Sequence, residues 1–387
     1  MIDTSIKFLF VANLVPDRNT GAAGSLIAIA ESLERQGHSV DIEWSDGQPY
    51  RLPPQLGHLY ELPRRQLNQV WQRLKGTRYD VVIISQPYAH LVYERLPDRY
   101  PGTLFLNRTH GWEDRLYQAE EKLAWRLDRT SHARRAASWL SSRMIWSFCR
   151  RTAKSCHGMI CPARRCADFI CSAYGSLGDK VAVIPYGLDN DYLTGMKKAA
   201  SPDSGLRMLF VGNYLARKGV RELESVLPDL ARRYSDLSLT FVVQPEAMAH
   251  INQHFGPTFG ERLAVRCWMP RRELKQEYQK HNVFLFPSLF EGFGKTYLEA
   301  MACGLCVVGF DEGGLSDLST HGRDALFCTV GDENGLVQLL EWCAKNPVDV
   351  KTIGQRAMET ASRYTWDEHA SKTVDFCRVL FERRFGD

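Results

Sequence analysis

Short apolar runs alternate with amphipathic stretches along this chain of 387 residues, and the alternation starts again after residue 205. Such runs predict buried strands, and helices between them favour parallel sheets that are covered on both faces. The predicted strands are 6–12, 39–44, 79–85, 103–108 and 158–162 in the first half, and 208–212, 239–244, 263–267, 283–287 and 306–310 in the second. The predicted helices include 22–36, 218–234, 271–281 and 295–303. The sequence therefore predicts an α/β fold with two Rossmann-like domains.

Length and a turn-rich connection both support this division. A chain of 387 residues exceeds what one hydrophobic core ordinarily holds, and residues 187–205 are rich in turn-forming residues. We expect an N-terminal domain over 1–189, a second domain over 190–365 and a C-terminal helix over 366–387, for which crossing back to the first domain is one option. Ligands of open α/β sheets bind at the carboxyl ends of the strands, so the cleft between the domains is the predicted active site.

The composition is that of a globular protein, with 44% hydrophobic and 24% charged residues, and it excludes intrinsic disorder. No stretch reaches the ~18 apolar residues that a membrane-spanning helix requires. The apolar residues 8–12 follow only one lysine and lack a small-residue cleavage site, so we interpret them as a buried strand rather than a signal peptide. We expect a cytoplasmic protein, either free or peripheral on the cytoplasmic face of a membrane.

The cysteines do not form a disulfide pattern, because their number, eleven, is odd and no export signal is evident. Five of them fall close together, at Cys149, Cys156, Cys161, Cys166 and Cys171. Metal sites usually use pairs two to four residues apart, and these spacings are longer. We interpret the five as small buried hydrophobic residues and expect no metal site.

Residues 287–304 carry the most specific functional signal. The apolar run 283–286 is followed by glycines at 292 and 294 and then by an apolar-periodic helix, which predicts strand, tight loop and helix. The amino end of such a helix binds phosphate, because backbone N–H groups and the helix dipole point at it. Glu291 on the loop and Glu299, about two turns into the predicted helix, suit hydroxyl groups, which need strong acceptors. Phosphate and hydroxyls together indicate a nucleotide sugar.

The segment EGFGKTYLEAMACG, with Glu291 and Glu299 separated by seven residues, resembles the Glu-x7-Glu segment of the retaining GT-B glycosyltransferases of family GT4. The resemblance implies a GT-B fold, with two parallel sheets facing an interdomain cleft, and retaining sugar transfer from a nucleoside-diphosphate donor without a metal or cofactor. It implies that Glu299 accepts from the ribose hydroxyls and that Glu291 lies toward the sugar. Whether Glu291 is a nucleophile or a stabiliser stays open, since a front-face mechanism is equally plausible. The donor-binding residues implied here are Gly292, Phe293, Gly294, Lys295, Thr296 and Glu299.

Further segments extend the resemblance to most of the chain. Gly21 carries the match to the family's N-terminal glycine loop, and Gly24 is an additional glycine; a plain turn is the alternative. Lys218 occupies the position of the family's diphosphate-binding lysine. The family's arginine is replaced by Asn213, and we expect the neighbouring Arg217 to supply the missing cation or else to lie at a solvated helix start.

Two other strand ends bear on the site. His110, in Thr-His-Gly-Trp, resembles the family's first-domain histidine near the transferred sugar; alone, a histidine after a strand is more often structural. Gly313 and Gly314 correspond to the family's glycine pair, which lets backbone approach the donor. The predicted catalytic residues are therefore Glu291, His110, Lys218 and Arg217.

The region 115–171 is strongly basic, with a net charge of +8 against +4 for the whole chain, and aromatic residues interleave with the charge. Two interpretations are open: a helix that lies on anionic lipid, or a helix whose apolar side packs on its own sheet. Nucleic acid is disfavoured, because no binding motif accompanies the charge. The predicted partners are a nucleotide-sugar donor and a hydroxyl acceptor, lipid-linked or soluble, from cell-surface glycan, lipopolysaccharide or glycolipid synthesis.

Another class of function also fits this architecture. Nonhydrolysing nucleotide-sugar epimerases share it, and a sugar-nucleotide-binding protein without catalysis would share it too. The Glu-x7-Glu spacing favours the transferase, and Asn213 in place of arginine is the feature that supports the inactive alternative.

Overall fold

The computed structural model describes residues 5–18, 20–44, 49–53, 56–85, 87–112, 114–119, 132–175, 177–194 and 205–385, without the side chains of 87 and 132–140. The chain divides into two compact units. Unit 1 comprises Met1–Gly187 together with Trp366–Asp387, and unit 2 comprises Leu188–Thr365. The C-terminal helix therefore belongs to unit 1, although it follows unit 2 in the sequence.

Unit 1 is built on a parallel sheet, whose described strands have the order β2-β1-β3-β4-β5-β6. Its strands are β1 (Lys7–Ala12), β2 (Ser39–Trp44), β3 (Val81–Ile84), β4 (Leu104–Arg108), β5 (Gly158–Cys161) and β6 (Val181–Val183). The chain adds β2 on one side of β1 and then continues with β3 on the other side, so the direction of winding reverses between β1 and β3. Ligands of open α/β sheets bind at such a reversal.

Helices cover both faces of this sheet. They are α1 (Gly21–Arg35), α2 (Leu62–Gly76), α3 (His90–Arg95), α4 (His132–Ser155), α5 (Arg164–Tyr174) and the returning helix, designated α14 (Trp366–Phe385). Short turns of π or 3₁₀ helix occupy Gly57–Glu61, Pro87–Ala89, Pro97–Arg99 and Gly178–Lys180. Leu380 of α14 packs so close to Gly158 that a Cβ added there would lie 2.6 Å from its Cδ1. This contact seats α14 on the sheet of unit 1.

Unit 2 repeats the plan, and its described strands have the order β12-β11-β10-β7-β8-β9. Its strands are β7 (Arg207–Val211), β8 (Ser238–Val243), β9 (Leu263–Cys267), β10 (Val283–Phe286), β11 (Cys306–Phe310) and β12 (Leu326–Cys328). Here the winding reverses between β7 and β10, which are neighbours in register at Val283 and Met208. The loops that follow these two strands therefore meet at one edge of the sheet.

The helices of unit 2 surround this sheet. They are α6 (Asn190–Leu193), α7 (Val220–Arg233), α8 (Pro245–Phe259), α9 (Arg271–Tyr278), α10 (Lys295–Ala302), α11 (Leu315–Leu318), α12 (Glu333–Lys345) and α13 (Pro347–Ala361). Turns of 3₁₀ helix lie at Ala216–Lys218 and Gly260–Arg262. One large cluster of buried side chains in unit 2 comes from the strands and from helices α7, α8, α12 and α13.

The prediction of an α/β fold with parallel sheets is confirmed, and three predictions of detail were incomplete or wrong. Strands β6 and β12 were missed because each has only three residues, too few to show a pattern. Glu299 lies about one turn into its helix, not two, because it is the fifth residue of α10, which begins at Lys295 as predicted. Four of the five clustered cysteines are fully buried in the core of unit 1 as expected, and Cys171 is half-buried.

The apolar side of α4 packs on the core of unit 1, through Ile145, Cys149 and Ala153. This contact supports the second interpretation of the basic region, at least for the side chains described from residue 141 onward. Several residues of the basic and aromatic stretch 115–171 lie outside the described residues or side chains, namely Lys122, Trp125, Arg126, Arg129, Arg134, Arg135 and Trp139. Within the described part of the chain, no helix is both long enough and apolar enough to cross a membrane.

Candidate functional site

The loops that follow β7 and β10 are held together by backbone contacts. The carbonyl oxygen of Arg217 accepts hydrogen bonds from the N–H groups of Leu289, at 2.8 Å, and Phe290, at 3.3 Å. Gly219 has a left-handed φ of 71°, and a Cβ at this position would lie 1.7 Å from the carbonyl oxygen of Pro287. Only glycine fits this approach, so the sequence Lys-Gly at 218–219 brings the lysine to the loop after β10.

Lys218 and Glu291 form the centre of the site in unit 2. The Nζ atom of Lys218 donates to Oε1 of Glu291, which also accepts from the hydroxyl of Ser288 at 3.0 Å. The two charged side chains are mostly buried, at 17% and 10% exposure. An ion pair with so little solvent around it is screened weakly, so Lys218 keeps a fixed position at the sheet edge. The two residues that the sequence predicted as catalytic are thus brought together.

Glu312 belongs to the same arrangement, although the motifs of the sequence did not predict it as a site residue. Its side-chain Oε1 accepts from the backbone N–H of Glu291 at 3.2 Å, and the residue is buried. It follows β11, the strand next to β10. The available signal was the pair Asp311-Glu312 directly after an apolar run, which is where α/β sheets place ligand-binding side chains.

The loop 291–294 and the start of α10 provide the predicted phosphate site. Gly294, the N-cap of α10, has a left-handed φ of 98°, and Lys295 and Thr296 occupy the first turn of the helix. Gly292 and Phe293 are buried in the loop before it. The backbone N–H groups of this turn and the helix dipole are directed toward the carboxyl edge of the sheet, which suits a phosphate group.

The glycine pair after β11 packs against this loop. A Cβ on Gly313 would lie 2.3 Å from the carbonyl oxygen of Phe293, and one on Gly314 would lie 2.8 Å from its ring. The N–H of Gly314 donates to the same carbonyl at 3.0 Å. These contacts within the protein explain both glycines, so the predicted role toward the donor is not needed to account for them.

Glu299 lies in a partly buried charged network. Its Oε2 accepts from the hydroxyl of Tyr278 at 3.2 Å. Burial raises the pKa of this carboxyl above its ordinary value, and the nearby Lys295 opposes the shift. Lys295 also lies 3.6 Å from a carboxylate oxygen of Asp189, which pairs with Arg271 at 2.7 Å. Lys295, predicted as donor-binding, is therefore engaged with Asp189.

Asn213 and Arg217 frame the loop after β7. The carbonyl oxygen of Asn213 accepts from Leu215 N–H at 2.9 Å, which closes a tight turn after Gly212. Arg217 is partly buried, and its backbone makes the contacts described above. That its guanidinium replaces the family's missing cation stays a prediction.

In unit 1, Gly21 and Gly24 open helix α1 after β1. Gly21 is exposed and a Cβ added there would meet nothing within 4 Å, whereas Gly24 is buried and its N–H donates to the carbonyl of Thr20 at 3.0 Å. Neither residue is among the glycines with positive φ. Packing within the described residues therefore does not explain why residue 21 is a glycine. The predicted role, in which the missing side chain leaves room for a ligand, stays a prediction.

His110 follows β4 in the same unit. Its Nδ1 lies 2.6 Å from the hydroxyl of Tyr186. Burial, and then the positive charge of Arg108, lower the pKa of His110 to about 3. The imidazole is therefore neutral at physiological pH, and it can donate or accept a hydrogen bond but carries no charge.

Arg108 ends β4 beside this histidine, and no motif of the sequence predicted it as a site residue. It is 1% exposed, and its guanidinium carbon lies 5.0 Å from the centre of the Tyr186 ring. His369 of α14 packs on the same ring, with centroids 6.3 Å apart. An arginine that ends an apolar strand was the signal in the sequence, but its burial depends on α14, which is distant in the chain.

The described residues contain no group of three or more histidine, cysteine or acidic side chains arranged to hold a metal ion.

Comparison with known sequences identifies two matching regions. Residues 205–346 match the family described as Glycosyl transferases group 1, and residues 20–192 match Glycosyltransferase Family 4. A D-inositol 3-phosphate glycosyltransferase from Stackebrandtia nassauensis is 28% identical over 237 residues, which are 56% of this chain and 53% of that protein. The chain thus spans about half the length of the curated relatives it matches.

Solved structures share the fold across nearly the whole chain. A sucrose-phosphate synthase from Thermosynechococcus elongatus superposes with a TM-score of 0.78 and 16% identity, over 97% of this chain and all of that chain. Anabaena HepE in complex with UDP and glucose gives a TM-score of 0.67 and 17% identity, over 96% and 98% of the two chains.

Proposed function

Since this chain belongs to the group 1 glycosyl transferases of family 4, we propose that it transfers a sugar from a nucleoside-diphosphate sugar to a hydroxyl group of an acceptor, with retention of configuration. The chain has the GT-B fold of these enzymes. The observation that carries the proposal is the contact between Lys218 and Glu291 beside the amino end of α10, where the winding of the sheet in unit 2 reverses.

The donor diphosphate is proposed to bind at the start of α10. Backbone N–H groups of the turn 293–296 and the helix dipole attract its oxygens, and Lys218 supplies a positive charge. Negative charge grows on the leaving phosphate as the glycosidic bond breaks, so a lysine already held in place stabilises the transition state without reorganisation. These groups supply the neutralisation that a metal ion would otherwise provide, and we therefore propose that transfer is independent of metal.

The two glutamates are proposed to bind the ribose and the sugar of the donor. Glu299 accepts hydrogen bonds from the ribose hydroxyls, for which a carboxylate is a strong acceptor. Glu291 faces the sugar as a hydroxyl acceptor or as a stabiliser of positive charge at the anomeric carbon. HepE, which shares the fold, was solved in complex with UDP and glucose, and this makes UDP-glucose the first donor to assay with this chain.

We further propose a hydroxyl acceptor at a membrane surface, with this chain peripheral on its cytoplasmic face. Arg143, Trp146 and Arg150 lie three and four residues apart on α4, and all three are exposed. The guanidinium of Arg150 stacks 5.6 Å from the centre of the Trp146 ring. Cations and an aromatic ring on one exposed helix face suit an anionic lipid surface.

A panel of nucleotide sugars tests the proposal. The purified chain is incubated with each donor, without acceptor and with EDTA, and the release of free nucleoside diphosphate is measured. Slow release from one donor identifies the substrate, and the anomeric configuration of the transferred sugar, read by NMR, tests retention. Interconversion of donor sugars without release would identify an epimerase instead, and binding without either reaction would identify an inactive sugar-nucleotide-binding protein.

A further inference from the structure

The guanidinium of Arg108 is buried without a hydrogen-bond partner in the part of the chain that the structure describes. None of its three nitrogen atoms has one, although the side chain is 1% exposed. Its contact with the Tyr186 ring leaves the five N–H donors unused, because a cation over an aromatic face is held by the ring rather than by lone pairs. Burial lowers the pKa of Arg108, and within the described residues the group that opposes this shift is Tyr186 rather than a carboxylate. This charge therefore lacks the compensation that buried arginines ordinarily have.

Two further buried polar atoms without partners lie around it. The hydroxyl of Ser85 has none, and the register Ile84 to Asn107 makes Ser85 and Arg108 the next residues of neighbouring strands. Nε2 of His369 also has none. Its Nδ1 lies 2.8 Å from the carbonyl of Pro185 and must donate the proton, so Nε2 of the neutral ring is an acceptor.

Ser85 and Arg108 lie at the edge of the sheet where ligands bind, and His369 of α14 packs on the Tyr186 ring that Arg108 contacts. Ser85 follows β3, at the reversal of winding between β1 and β3, and Arg108 ends β4 beside it. A planar guanidinium matches the two oxygens of a carboxylate or phosphate, and the serine hydroxyl adds another donor. The acceptor atom of His369 suits a hydroxyl on the same ligand. The combination describes an oxyanion that carries a neighbouring hydroxyl group.

We propose that Arg108 binds an oxyanionic group, a carboxylate or a phosphate, of the sugar acceptor. The assignment to the acceptor rests on the proposed function, whereas oxyanion binding itself does not. An uncompensated buried charge lowers the stability of the folded state, and proteins retain such groups where a ligand uses them.

Thermal unfolding with added anions tests the proposal. The melting temperature is measured in inorganic phosphate or in acetate, each against chloride at equal ionic strength, for the wild-type chain and for Arg108→Met. The wild type should rise by several degrees with increasing phosphate or acetate, since a ligand that binds only the folded state stabilises it. Arg108→Met should show no rise in acetate and a smaller rise than the wild type in phosphate, which the proposed phosphate site at α10 of unit 2 still binds. Its melting temperature in chloride should exceed that of the wild type.

Matched variants assign the response to this site. Arg99→Met removes an exposed arginine of the same unit and should keep the wild-type response. Lys218→Ala removes the proposed phosphate-binding lysine of unit 2. It should keep the acetate response and lose only the part of the phosphate response that persists in Arg108→Met. Arg108→Lys retains the positive charge without the planar guanidinium that matches two oxygens, and it should keep a reduced response. The preferred anion then distinguishes an acidic sugar from a phosphorylated acceptor.

Three results would overturn the proposal. One is an anion response that is as large in Arg108→Met as in the wild type. Another is the absence of any response in the wild type. The third is a lower melting temperature for Arg108→Met in chloride, which would make Arg108 a structural residue. Calorimetry with UDP and the other nucleoside diphosphates distinguishes a failure of the Arg108 proposal from a failure of the proposed transferase function. If none binds the wild type, the transferase proposal fails while an Arg108-dependent response to anions would still stand; loss of UDP binding in Arg108→Met would move the site from acceptor to donor.

Discussion

The hydroxyl oxygen of Tyr186 lies 2.6 Å from Nδ1 of His110. Burial and the charge of Arg108 lower the pKa of this imidazole to about 3, so the ring is neutral and either of the two groups can donate in this hydrogen bond. We predict that the tyrosine hydroxyl donates to Nδ1, which places the proton of the imidazole on Nε2 and makes Nε2 a hydrogen-bond donor. A neutral donor suits a sugar hydroxyl or a developing partial charge, but not a role as a cation.

We predict that His110 does not titrate between pH 5 and 8. The ¹⁵N chemical shifts of its ring should report one neutral tautomer with the proton on Nε2 throughout that range. Tyr186→Phe removes the donor to Nδ1 and should give a mixture of tautomers, while Arg108→Met should raise the pKa of His110 toward its ordinary value. A wild-type ring that protonates near pH 6.5 would contradict this arrangement.

The same lowered pKa predicts a pH dependence of stability. A histidine whose pKa is lower in the folded state is protonated first in the unfolded state as the pH falls. Its contribution therefore destabilises the fold progressively from about pH 6.5 down to about pH 3, and vanishes above that window. In urea unfolding, His110→Gln should reduce the loss of stability between pH 7 and pH 5, and an unchanged pH dependence would show that His110 is not neutral in the fold.

Glu299→Gln should weaken nucleotide binding. An amide has one acceptor oxygen where the carboxylate has two, and loss of a charged hydrogen bond costs about 1.5–3 kcal/mol, or roughly tenfold to a hundredfold in affinity. The matched control is Tyr278→Phe, which removes the internal donor to Glu299 and should leave the carboxylate available to ribose. Calorimetry with nucleoside diphosphates measures both, and an unchanged dissociation constant for Glu299→Gln would remove it from the ribose.

Affinity should also depend on pH through this residue. Burial raises the pKa of Glu299, so its carboxylate is lost at a higher pH than that of an ordinary glutamate as the pH falls. Nucleotide binding should therefore weaken on acidification in the wild type, and Glu299→Gln should lose that part of the pH dependence.

The sequence was sufficient to predict the parallel α/β fold and the position of α10, because glycines and apolar runs act locally. Glu291 and Lys218 were predicted separately by their motifs, but their contact depends on the order of β7 and β10 in the sheet, which a linear pattern does not contain. Arg108 was missed for a related reason. Its burial requires α14, whose first residue is 258 positions further along the chain, to return to unit 1.

Lys218→Ala should lower turnover by about 10²–10³, the usual effect of removing one preorganised charge-stabilising group. The variant also removes the charged hydrogen-bond partner of Glu291, which keeps the hydrogen bond from Ser288. The affinity for the nucleotide sugar should therefore fall as well. Lys280→Ala is the control, because Lys280 belongs to the same unit, pairs with Glu277 and is largely exposed. Steady-state kinetics on the donor from the panel provide the measurement.

Arg217→Ala tests the compensation for Asn213. If the guanidinium of Arg217 supplies the missing cation, turnover should fall while the backbone contacts of residue 217 to Leu289 and Phe290 persist. Full activity of Arg217→Ala would show that the compensation is absent, and Asn213→Arg would then be the variant to assay for a gain in rate.

Gly219→Ala should disrupt the connection between the two loops of unit 2. Its φ of 71° alone costs an L-residue about 1–2 kcal/mol, and the new Cβ would lie 1.7 Å from the Pro287 carbonyl oxygen. Gly322→Ala is matched, with a φ of 78° and nothing within 4 Å, and should show the strain alone. Urea unfolding should give the larger loss of stability for Gly219→Ala, with weaker nucleotide binding; equal losses would show that the loop yields to the added methyl group.

The exposed face of α4 that carries Arg143, Trp146 and Arg150 should bind anionic membranes weakly and reversibly. Each Lys or Arg near such a surface contributes about 1 kcal/mol, so replacing Arg143 and Arg150 with Gln should reduce binding by roughly thirtyfold. Arg151 belongs to the same helix but pairs with Glu94 at 2.5 Å, so we do not count it as part of this exposed face.

The control is the double variant Arg232→Gln with Lys345→Gln, which removes two exposed charges from unit 2. Co-sedimentation with phosphatidylserine vesicles should fall only for the first pair and should weaken in high salt, because a Debye length of about 10 Å at 0.1 M screens the attraction. Equal loss in both pairs, or binding to neutral vesicles, would favour a soluble acceptor and a helix whose only role is to cover its own sheet.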